Sequence, residues 1–144
     1  MEDLAIRKLR IRFLKETFVF IIAVGLLDFV GFKLHLFWSL HYYDSVVHFI
    51  AGIAVGLGSI WGRVVLNGKN FSQKGIVIVA IVGVLIIGVM WEIFELTYGV
   101  TSLSDGVYYV TDTGADLLMD IAGGLIAALY AWKIILRVQN NNKI

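Results

Sequence analysis

The feature that most constrains this chain is an uncharged run of 17 residues, GIVIVAIVGVLIIGVMW, at positions 75–91. Glu92 follows it directly, and a second glutamate, Glu95, comes three residues later. An α-helix needs roughly 20 apolar residues to cross a bilayer. Of the 144 residues, 59% are hydrophobic and only 16% are charged, against roughly 25% charged in a typical soluble domain. A core of this size cannot bury so many apolar side chains, so the sequence predicts a membrane protein.

Four stretches are long enough and apolar enough to be transmembrane helices: residues 14–34, 43–65, 75–97 and 113–135. We therefore expect an all-α, polytopic membrane protein with four transmembrane helices in a compact bundle, and a single domain over residues 1–144. Asp28 interrupts the first stretch and no small-residue cleavage site follows it, which favours a retained helix over a signal peptide. The absence of cysteine excludes disulfides, thiolate nucleophiles and thiolate metal sites.

The basic residues predict the orientation, because Lys and Arg accumulate on the cytoplasmic side of a membrane protein. Eleven of the twelve precede the first stretch, separate the second from the third, or follow the fourth; only Lys33 falls on the other side. We expect a multi-pass protein of the cytoplasmic membrane with both termini in the cytoplasm and residues 1–13 as a basic cytoplasmic leader. Since the topology accounts for the basic residues, no nucleic-acid partner is expected.

The carboxylates are distributed in the opposite way. A charged side chain at the centre of a membrane helix costs about 2.5–3.5 kcal/mol on insertion scales. Such groups must therefore be hydrated, protonated, hydrogen-bonded to one another or neutralised by a cation. Eight of the eleven acids, together with His48, fall on the outer loops or the outer halves of the predicted helices; the eight are Asp28, Asp44, Glu92, Glu95, Asp105, Asp112, Asp116 and Asp120.

The spacing of these acids brings three helices together at one depth. Asp44 and His48 are four residues apart, Glu92 and Glu95 are three apart, and three aspartates follow at four-residue steps from Asp112. Residues three or four apart share a helix face. We therefore expect a site for a divalent cation (Ca²⁺, Mn²⁺, Mg²⁺ or Zn²⁺), and its candidate ligands are Asp44, His48, Glu92, Glu95, Asp116 and Asp120.

Glycines continue the same helix faces at four-residue steps. Small residues let membrane helices approach closely, so the faces that carry the acids are expected to be those that pack together. The predicted packing positions are Gly52, Gly56, Gly88 and Gly124.

These motifs resemble those of the YjdF-like integral membrane proteins. The shared pattern is Asp-x-x-x-His at the start of one helix, Trp-Glu-x-x-Glu at the end of the next, and Asp-x-x-x-Asp before Gly-Gly. More distantly, the chain resembles the VanZ-like proteins linked to glycopeptide resistance. The resemblance spans the second to fourth predicted helices. It implies a small helical membrane protein with a polar motif set, and it implies no substrate.

Four functions remain open at this point. An enzyme at the outer leaflet would use a metal ion, with His48 or Glu92 moving protons, on a lipid or envelope precursor. A binding or sensing protein would hold a divalent cation or a cationic ligand. A transporter is disfavoured, because the inner segments GIAVGLGSI, IVIVAIVGVLII and IAGGLIAALYA of the last three predicted helices offer only Ser59 for a polar pathway. A resistance or assembly subunit would carry the acids as a hydrated structural network.

Overall fold

The computed structural model describes residues 4–40, 42–66 and 71–141, and these residues are all-α, with no strand among them. The long helices are α1 (Leu4–Lys33), α3 (Tyr43–Leu66), α4 (Gln73–Tyr98) and α5 (Val107–Asn141). A short helix, α2 (Leu36–Ser39), joins α1 to α3, and a 3₁₀ turn (Leu103–Asp105) precedes α5. The predicted all-α fold class is confirmed.

Three of the described helices, α3, α4 and α5, are long and apolar enough to cross a membrane. They contain the predicted stretches 43–65, 75–97 and 113–135, although α5 begins earlier, at Val107. Helix α1 contains residues 14–33 of the predicted stretch 14–34, but its apolar surface is interrupted by charged residues, among them Glu16 and Asp28. Length and composition therefore support three of the four predicted spans, and the four-span bundle stays a prediction.

Helix α3 is the element on which the other long helices pack. Helices α1, α4 and α5 all contact it closely, and α5 also packs along α4. The main contacts of α1 are with α3 and α2, so α1 and α4 are joined through α3 rather than packed tightly against each other.

An apolar core fills the end of the molecule where α1 begins and α5 ends, here called the terminal end. Its fully buried side chains include Phe13 of α1, Ile60 of α3, Ile76 of α4 and Ile135 of α5, so all four long helices meet there. Since lipid tails are as apolar as these side chains, such a core stabilises the fold through close van der Waals packing more than through removal from water.

The first turns of α1 belong to this packed structure. Arg10 donates hydrogen bonds to the main-chain carbonyls of Val64 (3.4 Å) and Val65 (3.0 Å) at the end of α3. These carbonyls lie in the last turn of the helix, where no helical N–H is available to pair with them. Most of the predicted leader is therefore continuous with α1, and residues 1–3 of it lie outside the described residues.

The outer surface of the helices is apolar as well. Along α4, large side chains such as Ile78, Val82, Ile86 and Met90 are about half exposed or more. Soluble monomers rarely expose continuous apolar surface of this kind, whereas a bilayer solvates it.

Glycines set how closely α5 approaches α3. A Cβ at Gly52 would collide with the main-chain carbonyl of Asp120, and one at Gly123 with that of Phe49. A carbonyl cannot move aside unless the helix that carries it shifts. The structure places the glycines expected to pack as follows: Gly52 against Asp120, Gly56 against Ala127, Gly88 against Asp120 and Leu117, and Gly124 against Val84.

We expect Gly52→Ala to lower the melting temperature and Gly62→Ala to leave it unchanged or raise it. Both glycines lie within α3, but a Cβ at Gly62 would meet nothing within 4 Å. Alanine is favoured over glycine in a helix interior by roughly 0.5–1 kcal/mol, so only a steric clash makes the substitution unfavourable. Thermal unfolding of both variants in detergent measures the difference. Equal melting temperatures would show that α3 and α5 do not depend on this contact.

Candidate cation-binding site

The end of the molecule opposite the apolar core holds a cluster of buried acids and one histidine; we call it the acidic end. The start of α3, the end of α4 and the early turns of α5 form it. Carboxylates are almost never fully buried unless they are paired, so the partners of these groups decide what the site can bind. Five side chains expose between 3% and 8% of their surface: His48, Glu92, Glu95, Asp116 and Asp120.

The points at which the helices begin and end determine where each acidic side chain lies along its helix. Asp44 lies in the first turn of α3, where a negative charge is stabilised by the helix dipole. Helix α4 ends at Tyr98, one turn after Glu95, because Gly99 adopts the left-handed conformation (φ 71°) and its N–H bonds back to the Glu95 carbonyl. Since α5 begins at Val107, its aspartates lie in inner turns of the helix rather than at its start, and helical N–H groups there are already paired.

The two glutamates that close α4 are each held by one hydrogen bond. Glu92 Oε2 accepts a hydrogen bond from the Thr113 hydroxyl at 2.6 Å, and Glu95 Oε1 accepts one from the Trp91 indole at 2.9 Å. Glu92 Oε1 is buried and has no hydrogen-bond partner among the described residues. A buried polar atom left unpaired costs about 1–3 kcal/mol, and more when it is charged, so a water molecule or a cation bound at this oxygen would be stabilising.

Thr113 and Trp91 are residues that the sequence analysis did not assign to the site. Trp91 lies four residues before Glu95, so helical spacing was a usable signal for that pair. Thr113 reaches Glu92 from α5, and no spacing within one helix predicts such a contact.

His48 lies between acids of two helices. Its Nε2 is 3.7 Å from Asp44 Oδ1, and its Nδ1 is 3.4 Å from Asp120 Oδ2. Nδ1 is buried and forms no hydrogen bond within the described chain. Gly88 of α4 makes room for this arrangement, because a Cβ there would lie 2.6 Å from Asp120 Oδ2.

Three sets of side chains converge closely enough to hold a metal ion. In each set, one ligand atom from every residue lies within 4.8 Å of the others. Two oxygens on opposite sides of an ion, each at about 2.3–2.4 Å, are themselves about 4.6–4.8 Å apart, so these spacings suit a single ion. The sets are Asp44, His48 and Glu95; His48, Glu92 and Asp116; and Asp44, Asp112 and Asp116.

The structure thus brings together five of the six expected ligands: Asp44, His48, Glu92, Glu95 and Asp116. Asp120 belongs to none of the three sets and lies instead beside His48 Nδ1. Asp112, which was not among the expected ligands, joins one set because it precedes Asp116 by one helical turn.

Positive charge is scarce at the acidic end. Within the described residues, the ion pairs formed by these carboxylates are both made with His48. Two ionised carboxylates 4.8 Å apart repel by about 3.5 kcal/mol at an effective dielectric constant of about 20. Several such pairs cannot all remain charged without a compensating cation.

A cavity of about 250 Å³ adjoins the acids. Asp44, His48 and Glu95 line it, whereas Glu92 and Asp116 do not. Of the three sets, the one formed by His48, Glu92 and Asp116 is the only one whose members are all buried.

Comparison with known proteins identifies one family. The model of the family described as "Predicted membrane protein (DUF2238)" matches residues 4–137. YjdF is a member of that family, which confirms the resemblance to YjdF-like proteins, while the VanZ-like resemblance is not supported. No curated protein and no solved structure matches this chain. Because the family model covers nearly the whole chain and three helices suit a membrane, the chain belongs to the DUF2238 family of predicted membrane proteins.

Proposed function

We propose that this membrane protein binds a divalent cation at its acidic end, through His48, Glu92 and Asp116. The observation that carries the proposal is Glu92 Oε1, a buried carboxylate oxygen without a hydrogen-bond partner in the described chain. The other two residues of this set, Asp116 and His48, supply one more carboxylate and one imidazole. A cation pairs this oxygen and offsets the repulsion between the acids at the same time.

Asp120 has a positioning role in this proposal. Metal-binding histidines usually contact a carboxylate or carbonyl through the nitrogen that does not bind the ion, and that contact sets the orientation of the ring. Asp120 Oδ2 lies 3.4 Å from His48 Nδ1, which leaves Nε2 as the nitrogen for the ion. Gly88 keeps the space that the Asp120 carboxylate occupies.

The ligand chemistry narrows the four ions expected from the sequence. Ca²⁺ and Mg²⁺ prefer sets made entirely of oxygen ligands. An imidazole beside carboxylates suits Mn²⁺ or Zn²⁺ better. We therefore propose Mn²⁺ or Zn²⁺ as the resident ion.

The location of this set favours a binding role over catalysis. Catalytic metal ions keep one coordination position open to substrate, whereas structural ions are enclosed by protein ligands. Glu92 and Asp116 do not line the cavity, so an ion between them lies behind its wall. An enzyme acting on a lipid or envelope precursor would need the ion to reach the cavity itself.

Removal of the ion should destabilise the protein. A ligand present at one hundred times its dissociation constant stabilises the folded state by about 2.7 kcal/mol. We expect the purified protein to contain Mn or Zn by elemental analysis, and its melting temperature to fall with chelator and recover when the ion is added. Glu92→Gln should abolish that response.

Glu16→Gln is the matched control, because it makes the same chemical change on α1 and leaves the acidic end intact. Glu16 pairs with Arg12 at 2.9 Å, far from the proposed ligands, so this variant should keep the chelator response. A wild-type protein without metal, melting at one temperature with and without chelator, would contradict the proposal. The acids would then form the hydrated structural network of the alternative hypothesis.

We also propose that α1 is a fourth transmembrane helix, so that the single domain has both termini in the cytoplasm. Apolar residues such as Phe18, Val19, Ile22 and Leu26 are more than half exposed along the stretch 14–34, as a lipid-facing surface requires. The distribution of Lys and Arg supports the orientation.

The side on which each terminus lies tests this topology. An even number of spans leaves both termini on one side of the membrane, and three spans would leave them on opposite sides. Reporters fused to either terminus should both be active in the cytoplasm, and a reporter placed after Gly99 should be active only outside it. Termini on opposite sides would show that α1 does not cross.

A further inference from the structure

The cavity beside the acidic end is elongated along the helices. Its lining runs from Asp44 to Val55 on α3 and from Glu95 to Val84 on α4. Eleven residues of helix correspond to about 16 Å, so a volume of about 250 Å³ leaves room for a narrow molecule such as a single alkyl chain.

The two ends of the cavity differ in chemistry. Toward the middle of the molecule, valines from three helices line it: Val24, Val55 and Val84. Toward the acidic end, its lining includes Asp28 of α1 and Asp105 of the 3₁₀ turn, neither of which belongs to a metal-binding set. The cavity is therefore apolar at one end and acidic at the other.

Charge and aromatic rings at the acidic part of the cavity favour a cationic group. No Lys or Arg lines it among the described residues, so its electric field attracts cations and repels anions. Trp38, Trp91 and Tyr108 line the same part. Aromatic faces beside carboxylates attract ammonium groups through cation–π interactions, which strengthen when water is excluded.

A buried polar side chain also lines the cavity. His48 is 95% buried, being 5% exposed, and its Nδ1 has no hydrogen-bond partner within the described chain. The lining therefore includes a buried polar side chain as well as acids that are more exposed.

The exposure of several lining residues indicates that the cavity opens toward the apolar surface of the helices. Helices α1 and α4 both contribute to its walls but are joined through α3 rather than packed against each other. Lining residues at this opening are well exposed: Phe32 at 51% and Trp38 at 68% on the side of α1 and α2, and Ile87 at 47% on α4. A molecule dissolved in the bilayer can enter between these two helices.

We propose that this cavity binds a single-chain amphiphile with an ammonium head group, taken up from the surrounding membrane leaflet. The head group lies between Asp28, Asp105 and the aromatic rings, and the chain lies along Val24, Val55 and Val84. The proposal goes beyond the cation site and requires no bound metal, since the resident ion is assigned to the buried set behind the cavity wall.

Dodecyltrimethylammonium is a suitable probe for the full-length protein in a neutral sugar detergent. Binding is followed by the saturable change in tryptophan fluorescence, because Trp38 and Trp91 line the cavity. We expect Asp28→Asn and Asp105→Asn each to weaken binding about tenfold, which is 1.4 kcal/mol for one lost charge interaction. Glu16→Gln, which lies about three helical turns from Asp28 on α1, should bind like the wild type.

Two comparison ligands separate the contributions of head and chain. Dodecyl phosphate, which carries the opposite charge, should bind at least tenfold more weakly, and tetramethylammonium, which has no chain, should also bind weakly. Ala51→Leu narrows the apolar part of the cavity. It should lower the affinity for dodecyltrimethylammonium without changing the affinity for tetramethylammonium. Equal affinity for dodecyl phosphate, or unchanged binding by both aspartate variants, would overturn the proposal.

The two proposals fail separately. Probe binding should persist in chelator, and Asp28→Asn should retain the chelator response of the wild type. A wild-type protein that binds the probe but shows no response to chelator would contradict only the proposed metal site. An intact chelator response without saturable probe binding would contradict only the proposed amphiphile site.

Discussion

The close contact between α3 and α5 is the interaction on which the rest of this structure depends. Gly52 lies against the main chain of Asp120, and Gly123 lies against that of Phe49, so each helix presents a glycine to the other. In a bilayer, where apolar side chains gain little by leaving lipid, such close backbone packing is a main source of helix association. The same contact sets the register that puts the aspartates of α5 level with His48.

The two ends of the molecule differ in what their buried side chains do: apolar packing holds the helices together at one end, and polar groups are buried at the other. At the terminal end, Phe13, Ile60, Ile76 and Ile135 form a fully buried apolar core that joins all four long helices. At the acidic end, buried carboxylates take the place of such a core, and each requires a partner. Apolar packing at the terminal end therefore holds the helices together. At the acidic end, repulsion between the carboxylates would by itself push the helices apart.

The two proposed cation sites lie side by side at the acidic end. The set of His48, Glu92 and Asp116 is enclosed, as suits a dehydrated metal ion held by several ligands. The cavity carries separate acids, Asp28 and Asp105, beside aromatic rings and next to an apolar wall. His48 borders both, since it belongs to the buried set and also lines the cavity. Its position on α3, the central helix, explains how one side chain reaches two environments.

The sequence by itself determined the all-α class, the three helices that are long and apolar enough to cross a membrane, and the separation of acids from the apolar core. These properties depend on composition and on the helical repeat, which operate within one segment of chain. The same repeat indicated that Asp44 and His48 share a face. Only the tertiary structure decided which residues meet between helices: that Thr113 bonds Glu92, that Asp120 lies beside His48 outside the ligand sets, and that Asp112 joins one. Such contacts depend on the rotation and spacing of whole helices, which main-chain packing at a few glycines sets and no single-helix pattern encodes.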